Sequence, residues 1–202
     1  MSVVMMSAAC GSKTNVFLQE WDTPYGIPPF DQVRISDYVP AVKAGIEQQK
    51  AEIRSIVDNP EAPSFDNVIA ALEQSGDILA KVSGVLFNVA ETDSSPELEK
   101  VVDEVTPLLS AHSDDIYMDK ALYAKVATVY NADQSGLTRE QQMVLKKTYE
   151  TFERNGIGLS DDLQEELRAI NTELAAKINK IGNSIFAENN AFKEDFGISV
   201  SA

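Results

Sequence analysis

Four absences narrow the reading of this 202-residue chain before any residue is placed. There is one cysteine, Cys10, so no internal disulfide can form and stability has to come from packing. There is one histidine, His112, which removes every site that needs two imidazoles, including zinc binding by an H-E-x-x-H helix. Basic charge is scarce: the formal net charge is -15 and no Lys/Arg cluster interrupts it, so a polyanion would be repelled and nucleic acid is excluded as a partner. No apolar run reaches the roughly 18 residues of a membrane-spanning helix. Phosphate loops, dinucleotide fingerprints, nucleophile elbows and C-x-x-C pairs are missing too.

What is present reads as helices. After an N-terminal stretch to Asn15 comes WDTPYGIPPFDQVRISDYVP, where Pro24, Gly26, Pro28 and Pro29 forbid a continuous helix, and Trp21, Tyr25 and Phe30 offer apolar surface for an arm lying over a helical body. From Asp37, Val42, Ile46, Ile53, Ile56 and Val57 share one helical stripe, which Asn59-Pro60 stops. The spacing of Val68, Leu72, Leu79, Val82, Leu86 and Val89 predicts a second helix over 66–91, weakened inside by Gly76 and Gly84. Ser95-Pro96 opens a third, with Pro107 expected to kink it without ending it. A shorter helix over 119–130 follows. Thr138 and Gln141 form a capping box for the next, and Gly156 and Gly158 close it. The last helix, opening at Ser160-Asp161, carries the clearest amphipathic stripe in the chain: Leu163, Leu167, Ile170, Leu174, Ile178, Ile181 and Ile185. The fold class is therefore all-α, about six mostly antiparallel helices with an extended Pro-rich N-terminal arm.

The search for chemistry finds no catalytic residue and no metal ligand set. His112 lies on an apolar stripe and reads as a hydrogen-bonded core histidine. NADQSGLTREQQ places Asn131, Asp133, Ser135 and Gly136 at EF-hand positions, but Gln142 replaces the bidentate glutamate, so it reads as a polar turn and not a calcium loop. The neighbouring acids Asp103 and Glu104, Asp114 and Asp115, and Glu165 and Glu166 diverge by about 100° on a helix and read as solvated faces. MSVVMMSAAC resembles the end of a lipoprotein signal, with Cys10 as the residue that would be lipidated, although a basic start and a full-length apolar stretch are lacking. A lipid-anchored or periplasmic protein of the bacterial cell envelope is the expectation, a cytoplasmic one the alternative. Membrane contact would come only through that anchor.

In series, WDTPYGIPPFDQVRISDYVPAVKAGIEQQKAEI, NPEAPSFDNVIAALEQSGDILAKVSGVLFNV, HSDDIYMDKALYAKV and YETFERNGIGLSDDLQEELRAINTELAAK resemble the N-terminal helical region of the thimet oligopeptidase-like zinc metallopeptidases, in their peptidyl-dipeptidase and oligopeptidase A branch. The likeness runs from about Phe17 to Phe192. With the signal-like N-terminus it gives a division into a leader and tether over 1–15, a helical domain resembling the family's N-terminal domain over 16–192 and an irregular tail near a domain boundary over 193–202. It also implies that the zinc site, an H-E-x-x-H helix with a downstream glutamate, belongs to a C-terminal catalytic domain not found here, so no catalytic or metal-binding residue transfers to this chain. The role implied for this region is one wall of a channel admitting short peptides, inactive alone, with the missing catalytic domain as its partner. The alternative is a free-standing, lipid-anchored helical module that binds peptides or a protein.

Overall fold

The computed structural model describes residues 14–195, and Cys10 and the final FGISVSA stretch lie outside them. Helices α1 (Ile35–Asp58), α2 (Ala71–Glu73), α3 (Asp77–Thr92), α4 (Pro96–Tyr117), α5 (Lys120–Asn131), α6 (Arg139–Arg154) and α7 (Asp161–Asp195) account for most of the chain. Among the described residues there is no strand, and no helix is long and apolar enough to cross a membrane.

Local chemistry sets the helix ends. The Asp37 carboxylate accepts the Arg34 N–H at 3.0 Å and opens α1. The Ser95 hydroxyl accepts the Leu98 N–H at 3.2 Å with Pro96 in the first turn of α4, which runs as one helix through Pro107. At α6 the capping box is reciprocal: Thr138 N–H to Gln141 Oε1 at 2.9 Å and Gln141 N–H to Thr138 Oγ1 at 3.2 Å.

The helix expected over 66–91 is divided. A π-helical turn, Phe65–Ala70, leads into α2, and the chain breaks before α3. The Ser75 hydroxyl donates to the Leu72 carbonyl at 2.8 Å, and Gly76 takes φ +80°, a left-handed conformation that ends a helix. The Gly76 N–H is held by Glu52 Oε2 of α1 at 2.8 Å. Apolar spacing continues across the break, which is why periodicity does not reveal it.

The helices enclose two apolar cores. In the first, Phe17 of the arm packs with Tyr38, Val42, Val82, Leu86 and Val105, from α1, α3 and α4. In the second, Ile53, Ile69, Leu122, Val126, Leu145 and Phe152 join the C-terminal half of α1 to the π-turn, α5 and α6. Helices α1 and α4 contribute to both. The arm docks through Phe17, whose ring lies 5.1 Å from Tyr38 and 6.3 Å from Trp21, and the Trp21 indole N–H donates to the Val16 carbonyl at 3.0 Å. Tyr25 and Phe30, expected to dock, are instead exposed, because the turn at Tyr25 (φ 62°) and Gly26 (φ 67°) carries them off the body.

Helix α7 packs along α4 with its polar side inward. Arg168, Asn171 and Asn179 meet α4, whereas Leu163, Ile170, Leu174, Ile178, Ile181 and Ile185 are each about half exposed. The stripe read from the sequence exists, but apart from Leu167, which is partly buried against the loop at Gly156, it faces away from the body.

Candidate functional site at the waist between the two cores

Between the cores α1 and α4 exchange polar groups. The Ser75 hydroxyl, already donating to Leu72, accepts Gln49 Nε2–H at 3.1 Å, which turns Gln49 Oε1 toward His112 Nε2 at 2.8 Å. An amide oxygen only accepts, so His112 Nε2 carries the proton. The neutral ring's Nδ1 is a bare acceptor, buried without a protein partner. Burial, and then the Lys50 charge, hold the imidazole below its ordinary value of 6.5, while Asp115 and Glu47 pull the other way. His112 is 4% exposed, the hydrogen-bonded core histidine that its apolar stripe predicts.

Asp114 and Asp115 separate as neighbours on a helix must, but only one is solvated. Asp115 binds Lys50 Nζ of α1 at 3.2 Å and Arg168 Nη1 of α7 at 2.9 Å. Asp114, expected on a solvated face, is 5% exposed because α7 lies over it. Its Oδ1 accepts Asn171 Nδ2–H at 2.8 Å and its Oδ2 is buried without a partner. Burial pushes this carboxyl above its ordinary value of 3.8, against the bond from Asn171 and the charge of Arg168. Further along, Asn179 Nδ2–H donates to Thr106 Oγ1 at 2.8 Å.

Two clefts flank the waist. One of about 330 Å³ is lined by Gln49, Glu73, Tyr117, Lys147, Thr148 and Thr151. Another of about 380 Å³ is lined by Lys50, Arg54, His112, Asp115 and Asp119, with Ile53 among its apolar walls. Such surfaces can contact a polar chain through charge and hydrogen bonds. They hold no nucleophile paired with a base, because His112 Nε2 is engaged by Gln49 and its ring is buried. Among the described residues no group of three His, Cys, Asp or Glu side chains could hold a metal ion. In the NADQSG turn, Asp133 accepts the Ser135 N–H at 2.9 Å and the Ser135 hydroxyl at 2.8 Å, so its oxygens serve the turn, and those bonds lower its pKa.

Sequence reading missed Gln49, Arg168, Asn171 and Asn179 and misplaced Asp114 on a solvated face. A signal existed on α7, where Gln164, Arg168, Asn171 and Asn179 share one face as a second, hydrogen-bonding stripe.

An all-α segment with a buried polar waist is the class that fold and site define. Its relatives are more specific. The chain is 33% identical over 179 residues to dipeptidyl carboxypeptidase of Salmonella typhimurium, covering 88% of this chain and 26% of the relative. The Escherichia coli dipeptidyl carboxypeptidase is likewise 33% identical, over 176 residues, and oligopeptidase A of Salmonella typhimurium is 25% identical over 164 residues, 81% of this chain. No protein-family profile matches the chain. The chain is homologous to the dipeptidyl carboxypeptidases and oligopeptidases A of the thimet oligopeptidase family, and it spans about a quarter of the length of these relatives.

Proposed function

We propose that this chain is the N-terminal helical domain of a peptidyl-dipeptidase-like zinc metallopeptidase and forms one wall of the channel through which short peptides reach the metal. The observation that carries the reading is the alignment, which takes in 88% of this chain and only 26% of a dipeptidyl carboxypeptidase. The outward apolar row of α7 supports it, since an apolar face of this length on a helical body is a surface for another polypeptide. In this role the chain's residues exclude bulky substrates and position peptides, and the chemistry resides in the catalytic region that the relatives carry in addition. Location at the cell envelope through a lipidated Cys10 is part of the same proposal.

The test is peptide hydrolysis by the purified chain, alone and grafted in place of the matching quarter of the Salmonella dipeptidyl carboxypeptidase. The chain alone should cleave nothing, with or without added zinc, and the graft should release dipeptides from short peptides. Chelator-sensitive cleavage by the chain alone would overturn the reading.

A further inference from the structure

Two kinds of contact hold α7 to the rest of the chain, and they divide the helix along its length. Near its N-terminal end α7 is packed in: Gln164 is buried, its Nε2–H donates to the Gly156 carbonyl at 3.0 Å, and Leu167 sits against Gly156. Beyond Leu167 the inward contacts are polar, from Arg168 to Asp115, Asn171 to Asp114 and Asn179 to Thr106, while Ile170, Leu174, Ile178, Ile181 and Ile185 point outward. With little apolar burial behind it, the attachment of this stretch depends on the state of the polar groups beneath it.

Asp114 is the group most exposed to such a change of state. Its side chain is closed in between α4 and α7, so its burial is supplied by the chain itself. The cations nearby are committed elsewhere: Lys50 Nζ and Arg168 Nη1 go to the two oxygens of Asp115, and Arg168 Nη2 donates to the backbone carbonyl of Asp114 at 3.3 Å and not to its carboxyl. The carboxyl receives one hydrogen bond, from Asn171, and its Oδ2 is buried without a partner. As a neutral acid it tolerates that position. As an anion it has an oxygen that neither protein nor water satisfies, and water gains access to it when α7 lifts. The charged groups acting on Asp114 are Asp115 beside it and Arg168 on α7, whereas Lys50 of α1 and Glu47 of α1 act on His112, whose ring is turned to Gln49.

We propose that Asp114 is a proton-operated latch for α7: the neutral acid lets the helix seat on α4, and loss of the proton to solvent lets the stretch beyond Leu167 lift while Gln164 holds the N-terminal end. The sign follows from burial, which pushes the seated carboxyl above its ordinary value of 3.8. The lifted state, with a solvated carboxyl, releases the proton more readily, so rising pH favours lifting and α7 is held most firmly in acid. His112 cannot imitate this, because its buried ring is disfavoured in acid, the opposite direction. The latch concerns contacts within the 202-residue chain and does not rest on the peptidase reading.

The test is amide hydrogen exchange of the 202-residue chain between about pH 4 and about pH 7, corrected for the intrinsic pH dependence of exchange. Protection of the α7 amides beyond Arg168 should fall at least about threefold relative to that of α1 as pH rises. The general loosening produced by a net charge of -15 would act on α1 as well. Asp114→Asn, which keeps an oxygen for Asn171 and cannot ionise, should abolish the pH dependence and leave α7 protected at both ends of the range. Should that variant lose helix content, carbon-13 titration of the Asp114 carboxyl in the unaltered chain decides: its midpoint should coincide with that of the rise in α7 opening. Protection of α7 that follows α1 at every pH overturns the proposal. So does a pH dependence that survives in a folded Asp114→Asn chain, or a carboxyl midpoint that differs from that of α7 opening.

Discussion

The same substitution, glycine to alanine, should have opposite effects at Gly76 and at Gly84. At Gly76 the backbone sits at φ +80°, and a Cβ would lie 2.5 Å from the Gln49 side chain. The left-handed conformation costs an alanine about 1 kcal/mol or more. Gln49 is flexible and can withdraw, but doing so leaves the buried Nε2–H of His112 without an acceptor, a loss of about 1–3 kcal/mol. Gly76→Ala should therefore destabilise the chain by about 2–4 kcal/mol. That is a large share of the 5–15 kcal/mol typical of a whole domain. Gly84 is exposed inside α3, and a methyl group added there would meet nothing within 4 Å. There alanine relieves a poor helix former, and a gain of about 0.5–1 kcal/mol is expected. Urea unfolding followed by helical ellipticity measures both. His112 supplies a local readout, because a chain with one histidine gives one imidazole signal: its Nε2–H tautomer should be disturbed in Gly76→Ala and unchanged in Gly84→Ala. A Gly76→Ala midpoint equal to that of the unaltered chain, or a shift of the same sign at both positions, would refute the reasoning.

Four further outcomes follow from the waist and the termini of the helices. Because burial holds His112 below 6.5, the unfolded chain binds that proton more tightly; the margin should be whole above about pH 6.5 and shrink as pH falls, and His112→Gln should flatten that part of the stability profile. Asp114 has the opposite sign: its pKa is raised from 3.8, so its ionisation costs stability as pH rises through the raised value, and Asp114→Asn, which keeps an oxygen for Asn171, should raise the melting temperature at pH 7. Asn171→Ala removes the partner of a buried carboxylate and should cost about 1–3 kcal/mol, with amide exchange in α7 accelerating before that of α1. Millimolar calcium should leave the melting temperature unmoved, since Asp133 is committed to Ser135; a rise of several degrees would restore the EF-hand reading of that turn.

How much of this was legible depends on whether the determining interaction is local. The caps at Ser95 and Thr138 are short-range hydrogen bonds between residues close in sequence, and they appear as expected. The helical class and the buried His112 follow from apolar period alone. The break at Gly76 was not legible, because the spacing from Leu72 to Leu79 continues across it and the decisive contacts come from Glu52 and Gln49 on α1. The orientation of α7 was hidden for a different reason. Periodicity finds a stripe but carries no information on which way it faces, and the inward choice was made by Asn171, Asn179 and Arg168 finding partners on α4. Asp114 was misjudged with it, since its burial is a consequence of where α7 lies.

The polar attachment of α7 also fixes its axial position. Greasy surfaces tolerate sliding, whereas a donor without its acceptor does not. Asn171 meets Asp114 and Asn179 meets Thr106, two bonds separated by the same eight positions on both helices, so they engage together like paired teeth. A slip of one turn would disengage both at once. Whatever polypeptide meets the outer ridge therefore finds it presented at one height and one rotation, as a gauge and not as a sticky surface.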